Sequence, residues 1–178
     1  DLPDFEYSTL HKWSIDCPEL FWEEVWTDCK VLASKPWNRV MGKDLFNVKK
    51  NSEKSGWFEG ARLNYAENLL FRNNDKNEAL SFVAENGKKN SMSYADLRTA
   101  VSQCASGMKS MGVSEMDRVS AVIPNCPEAV IGLLAASSIG AIWSSCSPDF
   151  GTQGVIERFS QIDPKILIVV DRLSLIHI

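Results

Sequence analysis

The chain has 178 residues, of which 44% are hydrophobic, and its formal net charge is −4. This hydrophobic content excludes a chain that is disordered throughout, and the acidic balance argues against a nucleic-acid-binding protein, which usually has a basic face. Basic residues do gather between Arg39 and Lys54, but Asp44 and Glu53 interrupt them. A solvated loop is therefore favoured there over a binding patch.

The cysteines indicate a reducing compartment, and the small number of histidines argues against a histidine metal site. Five cysteines, an odd number without a Cys-x-x-Cys pair, favour free thiols in a reducing compartment, so we expect a cytosolic protein. Only two histidines are present, which argues against a histidine metal site. The apolar runs are shorter than the roughly 18 residues that a membrane span needs, so we expect no span. The chain starts at Asp1 rather than Met, which leaves room for an upstream segment.

The N-terminal part predicts one amphipathic helix and a long irregular segment. Asp16 is a candidate N-cap, and Pro18 falls in the first helical turn. The residues that form the apolar face of this helix are Phe21, Trp22, Val25, Trp26 and Cys29. A helix packed on the body of the protein is favoured over an aromatic ligand cage. Residues 38–56 are polar and contain two glycines, which predicts a long loop or an irregular lobe.

Two asparagine side chains follow on one face of a short helix. Gly60 predicts a tight turn, and Asn64 lies near the start of a short helix, with Asn68 four residues later. Two amides in this arrangement either bind a ligand or cap chain ends and tie down a loop. The second interpretation is favoured.

A hairpin and a long helix come next. Residues 79–83 alternate as a strand, Asn86-Gly87 is a strong hairpin-turn signal, and residues 90–94 form the partner strand. Ser93 and Asp96 predict a capping box, and Gly112 ends the helix that it opens.

From residue 118 onward, strands and helices alternate. Strands are predicted at 118–123, 141–145 and 165–170, with helices at 127–140 and 152–161. Continuous apolar strands separated by helices indicate a parallel sheet covered on both faces. The fold class is therefore α/β: an N-terminal helical and irregular lobe, followed by the first strands and helices of a layered, mostly parallel sheet. We expect this domain to be incomplete.

The segment from Ile139 to Gly151 is the most informative part of the chain. A helix ends at Gly140, a short strand follows, and Ser147-Pro-Asp-Phe-Gly151 makes a turn into the next helix. Because ligands bind beyond the carboxyl ends of parallel strands, this turn is a candidate ligand site.

Three stretches in order carry a resemblance to a family. They are Trp57-Phe-x-Gly60-x-x-Leu63-Asn-Tyr-Ala-Glu-Asn-Leu-Leu70, Asp117-Arg-Val119 through Pro124-Asn-x-Pro-Glu128, and Ser138-Ile-Gly-Ala-Ile-Trp-Ser-Ser-x-Ser-Pro-Asp-Phe-Gly151. From Lys12 to about Asp171 the chain resembles the acetoacetyl-CoA synthetases of the adenylate-forming superfamily. Trp143 and the Ser147–Gly151 string favour this branch over acetyl-CoA synthetase. The resemblance implies an N-terminal lobe at 1–72 and the first part of an AMP-binding domain at 73–172.

The resemblance implies a ligase that joins acetoacetate to coenzyme A through an acyl-adenylate, using ATP and Mg²⁺. The chain contains no P-loop and no Gly-x-Gly-x-x-Gly pattern, and no catalytic or metal-binding residue is assigned to it. By position, Asp149, Phe150 and Gly151 correspond to a turn near the coenzyme A entry, where relatives have a glycine-rich turn. The alternative is a plain strand-to-helix connection with Asp149 or Thr152 as N-cap, and it is favoured over direct coenzyme contact for any single residue.

Other residues and other functions have simpler interpretations. Arg118 is expected to form a salt bridge or a solvated stem rather than to grip a phosphate, and Glu157 and Arg158 form the polar face of a helix. A non-catalytic α/β binding module, a sister ligase for acetate or another short acid, and a dinucleotide-binding domain are the alternatives, the last without its glycine fingerprint. The sequence does not indicate an oligomeric state.

The last six residues, 173–178, match the translation of a sequencing-library adapter. We therefore expect an N-terminal fragment that is inactive and poorly soluble by itself.

Overall fold

A computed structural model describes residues 6–42, 56–71, 75–84 and 87–170. Most of the basic loop, Asn86 of the hairpin turn and the terminal segment 173–178 lie outside the described residues. Two compact units divide the chain, one up to Leu63 and the other from Asn64 onward. The division at residues 72 and 73 stays a prediction. Within the described ranges, no helix combines the length and apolarity that crossing a membrane requires.

The first unit contains helices α1 (Tyr7–Asp16) and α2 (Pro18–Asp28) and strands β1 (Arg39–Met41) and β2 (Trp57–Glu59). The apolar face predicted for α2 packs on β2, with the ring centroids of Trp26 and Phe58 4.5 Å apart. Two predictions were wrong. Asp16 does not cap α2, because it ends α1 and accepts a hydrogen bond from Lys12 Nζ at 2.5 Å. Residues 39–41 are not a loop, because their backbone pairs with β2 in an antiparallel ladder.

The second unit begins with α3 (Tyr65–Leu70), the antiparallel pair β3 (Glu78–Val83) and β4 (Lys89–Ser93), and α4 (Tyr94–Ser110). The capping box is confirmed: Ser93 Oγ accepts from the Asp96 amide, and Asp96 Oδ2 accepts from the Ser93 amide. The predicted helix end is confirmed as well. Gly112 follows the C-cap with a φ of +85°, a left-handed conformation that costs glycine little.

A parallel sheet closes the second unit. Its elements are β5 (Arg118–Val122), α5 (Pro127–Ser138), β6 (Ile142–Cys146), α6 (Gly151–Phe159) and β7 (Ile166–Val169). Strand β5 is central, and both β6 and β7 pair with it in parallel. The predicted class, mixed helices and strands with a parallel sheet, is confirmed.

The core of the second unit lies between α4, α5 and one face of this sheet. Its buried members include Leu97, Val101, Met108, Val119 and Leu134. We predicted that both faces of the sheet are covered, but at β7 one face remains partly open. Leu167 and Val169 point away from the core because side chains alternate along a strand, and they remain 50% and 60% exposed.

Candidate functional site

The candidate turn, residues 147–151, lies at the carboxyl edge of the parallel sheet. Strand β6 ends at Cys146, which is buried, and the Cys146 carbonyl accepts a hydrogen bond from the Ile123 amide at 3.1 Å. Ile123 directly follows β5, so the connections that leave β5 and β6 start side by side. The location predicted from the sequence is therefore the location that the structure has.

The turn is held by its own polar groups. Pro148–Phe150 form one turn of 3₁₀ helix, and Ser147 is its N-cap. Ser147 Oγ donates to Asp149 Oδ2 at 2.7 Å and accepts from the Asp149 amide at 3.3 Å. The Phe150 amide donates to the Ser147 carbonyl at 3.2 Å. Gly151 follows with a φ of +64°, a conformation in which a side chain would be strained.

This arrangement corrects the expected capping residues. Neither Asp149 nor Thr152 caps α6, since the N-cap of α6 is Phe150 and no side chain bonds to that end. Asp149 is exposed, but its carboxylate already accepts the Ser147 hydroxyl. The difference arises because a 3₁₀ turn precedes α6. The side-chain capping bond forms at the start of that turn, where Ser147 Oγ accepts from the Asp149 amide.

Phe150 and Arg158 form a contact that was not predicted. The Arg158 guanidinium carbon lies 4.1 Å from the centroid of the Phe150 ring. Glu157 and Arg158 are both exposed on α6, as expected for its polar face. A signal for the contact was present, because positions 150, 154 and 158 are four residues apart and fall on one side of a helix.

Arg118 contacts its own chain. Its Nε donates to the Ile162 carbonyl at 2.8 Å and its Nη2 to the Asp163 carbonyl at 3.0 Å. The expected structural role, a salt bridge or a solvated stem, is thus filled by hydrogen bonds to backbone carbonyls, and among the described residues Arg118 forms no salt bridge. The backbone carbonyl oxygens just after helix α6 need hydrogen-bond donors, and the Arg118 guanidinium supplies two donors.

The neighbouring carboxylate, Asp117, forms the ion pair instead. It accepts from Lys165 Nζ at 2.8 Å and from the amide and hydroxyl of Ser114, both at 2.8 Å. The hydrogen bond from Lys165, and those from Ser114, hold the pKa of Asp117 well below its ordinary value. This network lies at the amino ends of β5 and β7, at the opposite edge from the candidate turn.

The side-chain amides of Asn64 and Asn68 cap a helix end and hold the chain, which is the structural role favoured over ligand binding. Asn64 is the N-cap of α3, and its Oδ1 accepts from the Glu67 amide at 3.1 Å. Asn64 Nδ2 donates to the Ser137 carbonyl at 2.9 Å, at the end of α5. Asn68 Nδ2 donates to the Asn64 carbonyl at 2.9 Å. The bond to Ser137 ties the start of α3 to the end of α5, and the other two hold the first turn of α3.

A shallow cavity of about 320 Å³ lies beside the start of α5, and its lining is largely apolar. The sequence did not indicate it, because one wall comes from β3 and the other from the turn after β5 and the first residues of α5. Residues from both walls include Leu80, Phe82, Cys126 and Pro127. Burial raises the pKa of the Cys126 thiol. Among the described residues, no three His, Cys, Asp or Glu side chains come together as metal ligands would.

Two family models match the chain. One, described as acetyl-coenzyme A synthetase N-terminus, matches residues 7–69, and the other, described as AMP-binding enzyme, matches residues 70–177. Together they span nearly the whole chain, in the order that the sequence motifs predicted.

Relatives and a solved structure agree with these matches. The acetoacetyl-CoA synthetase of Xenopus tropicalis is 41% identical over 93% of the chain. A malonamoyl-CoA synthetase of Penicillium aethiopicum is 37% identical over 90%. The structure of an acetoacetyl-CoA synthetase from Streptomyces lividans superposes with a TM-score of 0.84, at 38% identity over 94% of the chain.

The chain spans about a quarter of the length of these proteins: 24% of the Xenopus relative, 22% of the Penicillium relative and 25% of the Streptomyces chain. The second family model alone covers more than half of the residues. The chain therefore belongs to the AMP-binding enzyme family.

Proposed function

We propose that this chain is the N-terminal part of an acid–thiol ligase that activates acetoacetate with ATP and transfers it to coenzyme A. The observation that carries the proposal is the Ile139–Gly151 segment, whose turn lies at the carboxyl edge of a parallel sheet. The relatives named as acetoacetyl-CoA synthetases support the substrate.

The chemistry activates a poor leaving group. A carboxylate oxygen of acetoacetate attacks the α-phosphorus of ATP, and pyrophosphate leaves. The sulfur of coenzyme A then attacks the acyl carbon, and the bond to AMP breaks, so AMP carries away the oxygen. Mg²⁺, when bound, neutralises the phosphates. We assign no catalytic or metal-binding residue to this chain and expect the chain by itself to be inactive.

The role proposed for Asp149, Phe150 and Gly151 is to form one wall of the coenzyme A path. A Cβ built on Gly151 would meet no atom within 4 Å, so open space borders the backbone there. The Phe150 side chain is 47% exposed and offers an apolar surface beside that space. These features suit a long flexible ligand that runs along the turn. A cytosolic location is proposed with this function, and the five free cysteines support it.

The substrate is tested in the full-length protein that contains this chain. We expect acetoacetate to drive pyrophosphate release and to yield acetoacetyl-CoA by mass spectrometry. Turnover with acetate or malonamate but not with acetoacetate would place the protein in a sister branch, and the malonamoyl-CoA synthetase relative motivates that second arm. Pyrophosphate release with none of these acids would overturn the proposed function.

The coenzyme A wall is tested by Phe150→Ala in the same protein. Because about half of an apolar side chain is exposed for contact, we expect the KM for coenzyme A to rise about five- to tenfold. The ATP–pyrophosphate exchange rate, which needs no coenzyme A, should stay unchanged. Lys109→Ala, on the exposed side of α4, is the control. A normal KM for coenzyme A in the Phe150 variant would remove this residue from the site.

A further inference from the structure

Phe150 is held from two sides by residues of α6 that lie four and eight positions further along the chain. On one side is Gly154, where a Cβ would lie 3.5 Å from Phe150 Cβ and 3.7 Å from Cδ1. On the other is the Arg158 guanidinium, 4.1 Å from the ring centroid. The ring therefore lies along the first turns of α6, with the small Gly154 beneath it and a cation against its face.

The charges of the neighbouring side chains favour the contact between the Arg158 guanidinium and the Phe150 ring. An arginine guanidinium is attracted to the face of an aromatic ring by the ring quadrupole. Two nearby acids are engaged elsewhere: Glu157 accepts from Gln153 Nε2 at 2.9 Å, and Asp149 accepts from Ser147 Oγ at 2.7 Å. Neither of them forms a salt bridge with Arg158 among the described residues. The guanidinium is thus available to the ring.

The turn also has backbone bonds, from the Phe150 amide to the Ser147 carbonyl and from the Gly151 amide to the Pro148 carbonyl. Ser147 holds the Asp149 amide and carboxylate, but the end of α6 at Phe150 has no side-chain cap. The Phe150–Arg158 contact adds a side-chain link from this residue to the body of α6. When the ring is held, the backbone from Pro148 to Gly151 is held with it.

We infer that Arg158 is a positioning residue: it locks the Phe150 ring onto α6 and so keeps the Ser147–Gly151 turn in the conformation that receives coenzyme A. The inference rests on the function proposed above for this turn. In this role Arg158 acts through Phe150 and is not itself assigned a contact with coenzyme A.

The first experiment measures the turn itself. Hydrogen–deuterium exchange is followed in the full-length protein at the amides of Asp149, Phe150 and Gly151, which donate to Ser147 and Pro148 acceptors. We expect faster exchange in Arg158→Ala, and exchange near that of the unchanged protein in Arg158→Lys, which retains a cation. Lys109→Ala, which removes a cation from α4, should have no effect. Unchanged exchange in Arg158→Ala would overturn the inference.

The second experiment links the turn to the coenzyme. Since an exposed cation–π contact is weak, the KM for coenzyme A should rise about two- to fivefold in Arg158→Ala, with ATP–pyrophosphate exchange unaffected. In a Phe150→Leu background the same substitution should have no further effect, because the ring is gone. A full effect in that background would overturn the inference, as would faster amide exchange with a normal KM. If the unchanged protein forms no acyl-CoA, the proposed function fails, and the exchange experiment still decides whether Arg158 holds the turn.

Discussion

At the scale of single residues, Gly132 and Trp143 form a pair that explains why each is present. The Trp143 ring lies against α5 so closely that a Cβ on Gly132 would be 2.6 Å from Cη2 and 2.9 Å from Cζ3. Glycine inside a helix costs about 1 kcal/mol relative to alanine, and here the close packing of the indole offsets that cost. Trp143, which marks the family in the sequence, is therefore a packing residue of the sheet.

We predict that Gly132→Ala destabilises the full-length protein by about 1–3 kcal/mol, since the added methyl overlaps the indole. The measurement is urea unfolding followed by tryptophan fluorescence. Trp143→Leu in the same protein should recover part of the loss, because it makes room for the methyl. Gly107→Ala in α4 is the control: a Cβ there meets nothing within 4 Å, so helix propensity should make it neutral or stabilising. Equal effects of the two alanines would contradict the prediction.

At the scale of elements, the amino edge of the sheet is held by charged side chains. Arg118 binds the carbonyls of residues 162 and 163, and Lys165 bridges the Gly112 carbonyl, at 2.6 Å, and Asp117. The Lys165 amide also donates to the Arg118 carbonyl at 2.8 Å. These bonds join the connection before β5 to the connection before β7. The pairing of two strands that are far apart in sequence is thereby anchored at the point where each begins.

The pH dependence of this network follows from the lowered pKa of Asp117. A carboxyl with a lowered folded-state pKa stabilises the fold above its unfolded pKa, which is about 4, and loses that contribution as the pH falls through the folded value. We predict that Asp117→Asn lowers stability at pH 7 and that the difference from the unchanged protein shrinks below about pH 4. Urea unfolding of the full-length protein between pH 7 and pH 3 measures it.

The control is Asp163→Asn, which changes an exposed carboxyl on the next connection. Asparagine tolerates the positive φ of +47° found at this position. It should keep the pH profile of the unchanged protein. A pH-independent effect of Asp117→Asn would show that the charge of Asp117 does not matter to the network.

At the scale of the whole molecule, the described sheet has three strands, and β6 and β7 are its outer ones. Apolar side chains remain open along them, with Ile142 43%, Leu167 50% and Val169 60% exposed. An exposed apolar strand next to an unpaired edge is a site of aggregation. The relatives are about four times longer, and they match this chain over only a quarter of their length.

We predict that residues 1–178 produced alone aggregate, as measured by light scattering. Leu167→Lys and Val169→Lys should lower the aggregation by placing charge on the open face. A lysine at a distant exposed position, Met111→Lys, should change little. A monodisperse monomer of the unchanged chain would contradict the prediction.

Much of the local structure was predictable because short-range chemistry sets it. The Ser93–Asp96 capping box and the glycines at 112 and 140 depend on groups within a few residues of one another. The location of the candidate turn was predictable for a similar reason, since it follows directly from the end of β6. The Asp16 cap and the Asp149 or Thr152 cap were predicted wrongly. The Asp16 carboxylate accepts from Lys12, and the Asp149 carboxylate accepts from Ser147.

The sequence by itself determined the order of strands and helices in the second unit from β3 onward, the Ser93–Asp96 capping box, and the family to which the motifs belong. Only the tertiary structure decided that β5 is the central strand, that Arg118 reaches carbonyls 44 and 45 residues away, and that Asn64 reaches Ser137, 73 residues away. The physical reason is range. Caps and turns are settled by neighbours along the chain, whereas apolar strands of similar composition pair equally well in several orders. The choice among those orders is made when distant helices bury their faces on the sheet and long side chains meet the carbonyls left at its edge.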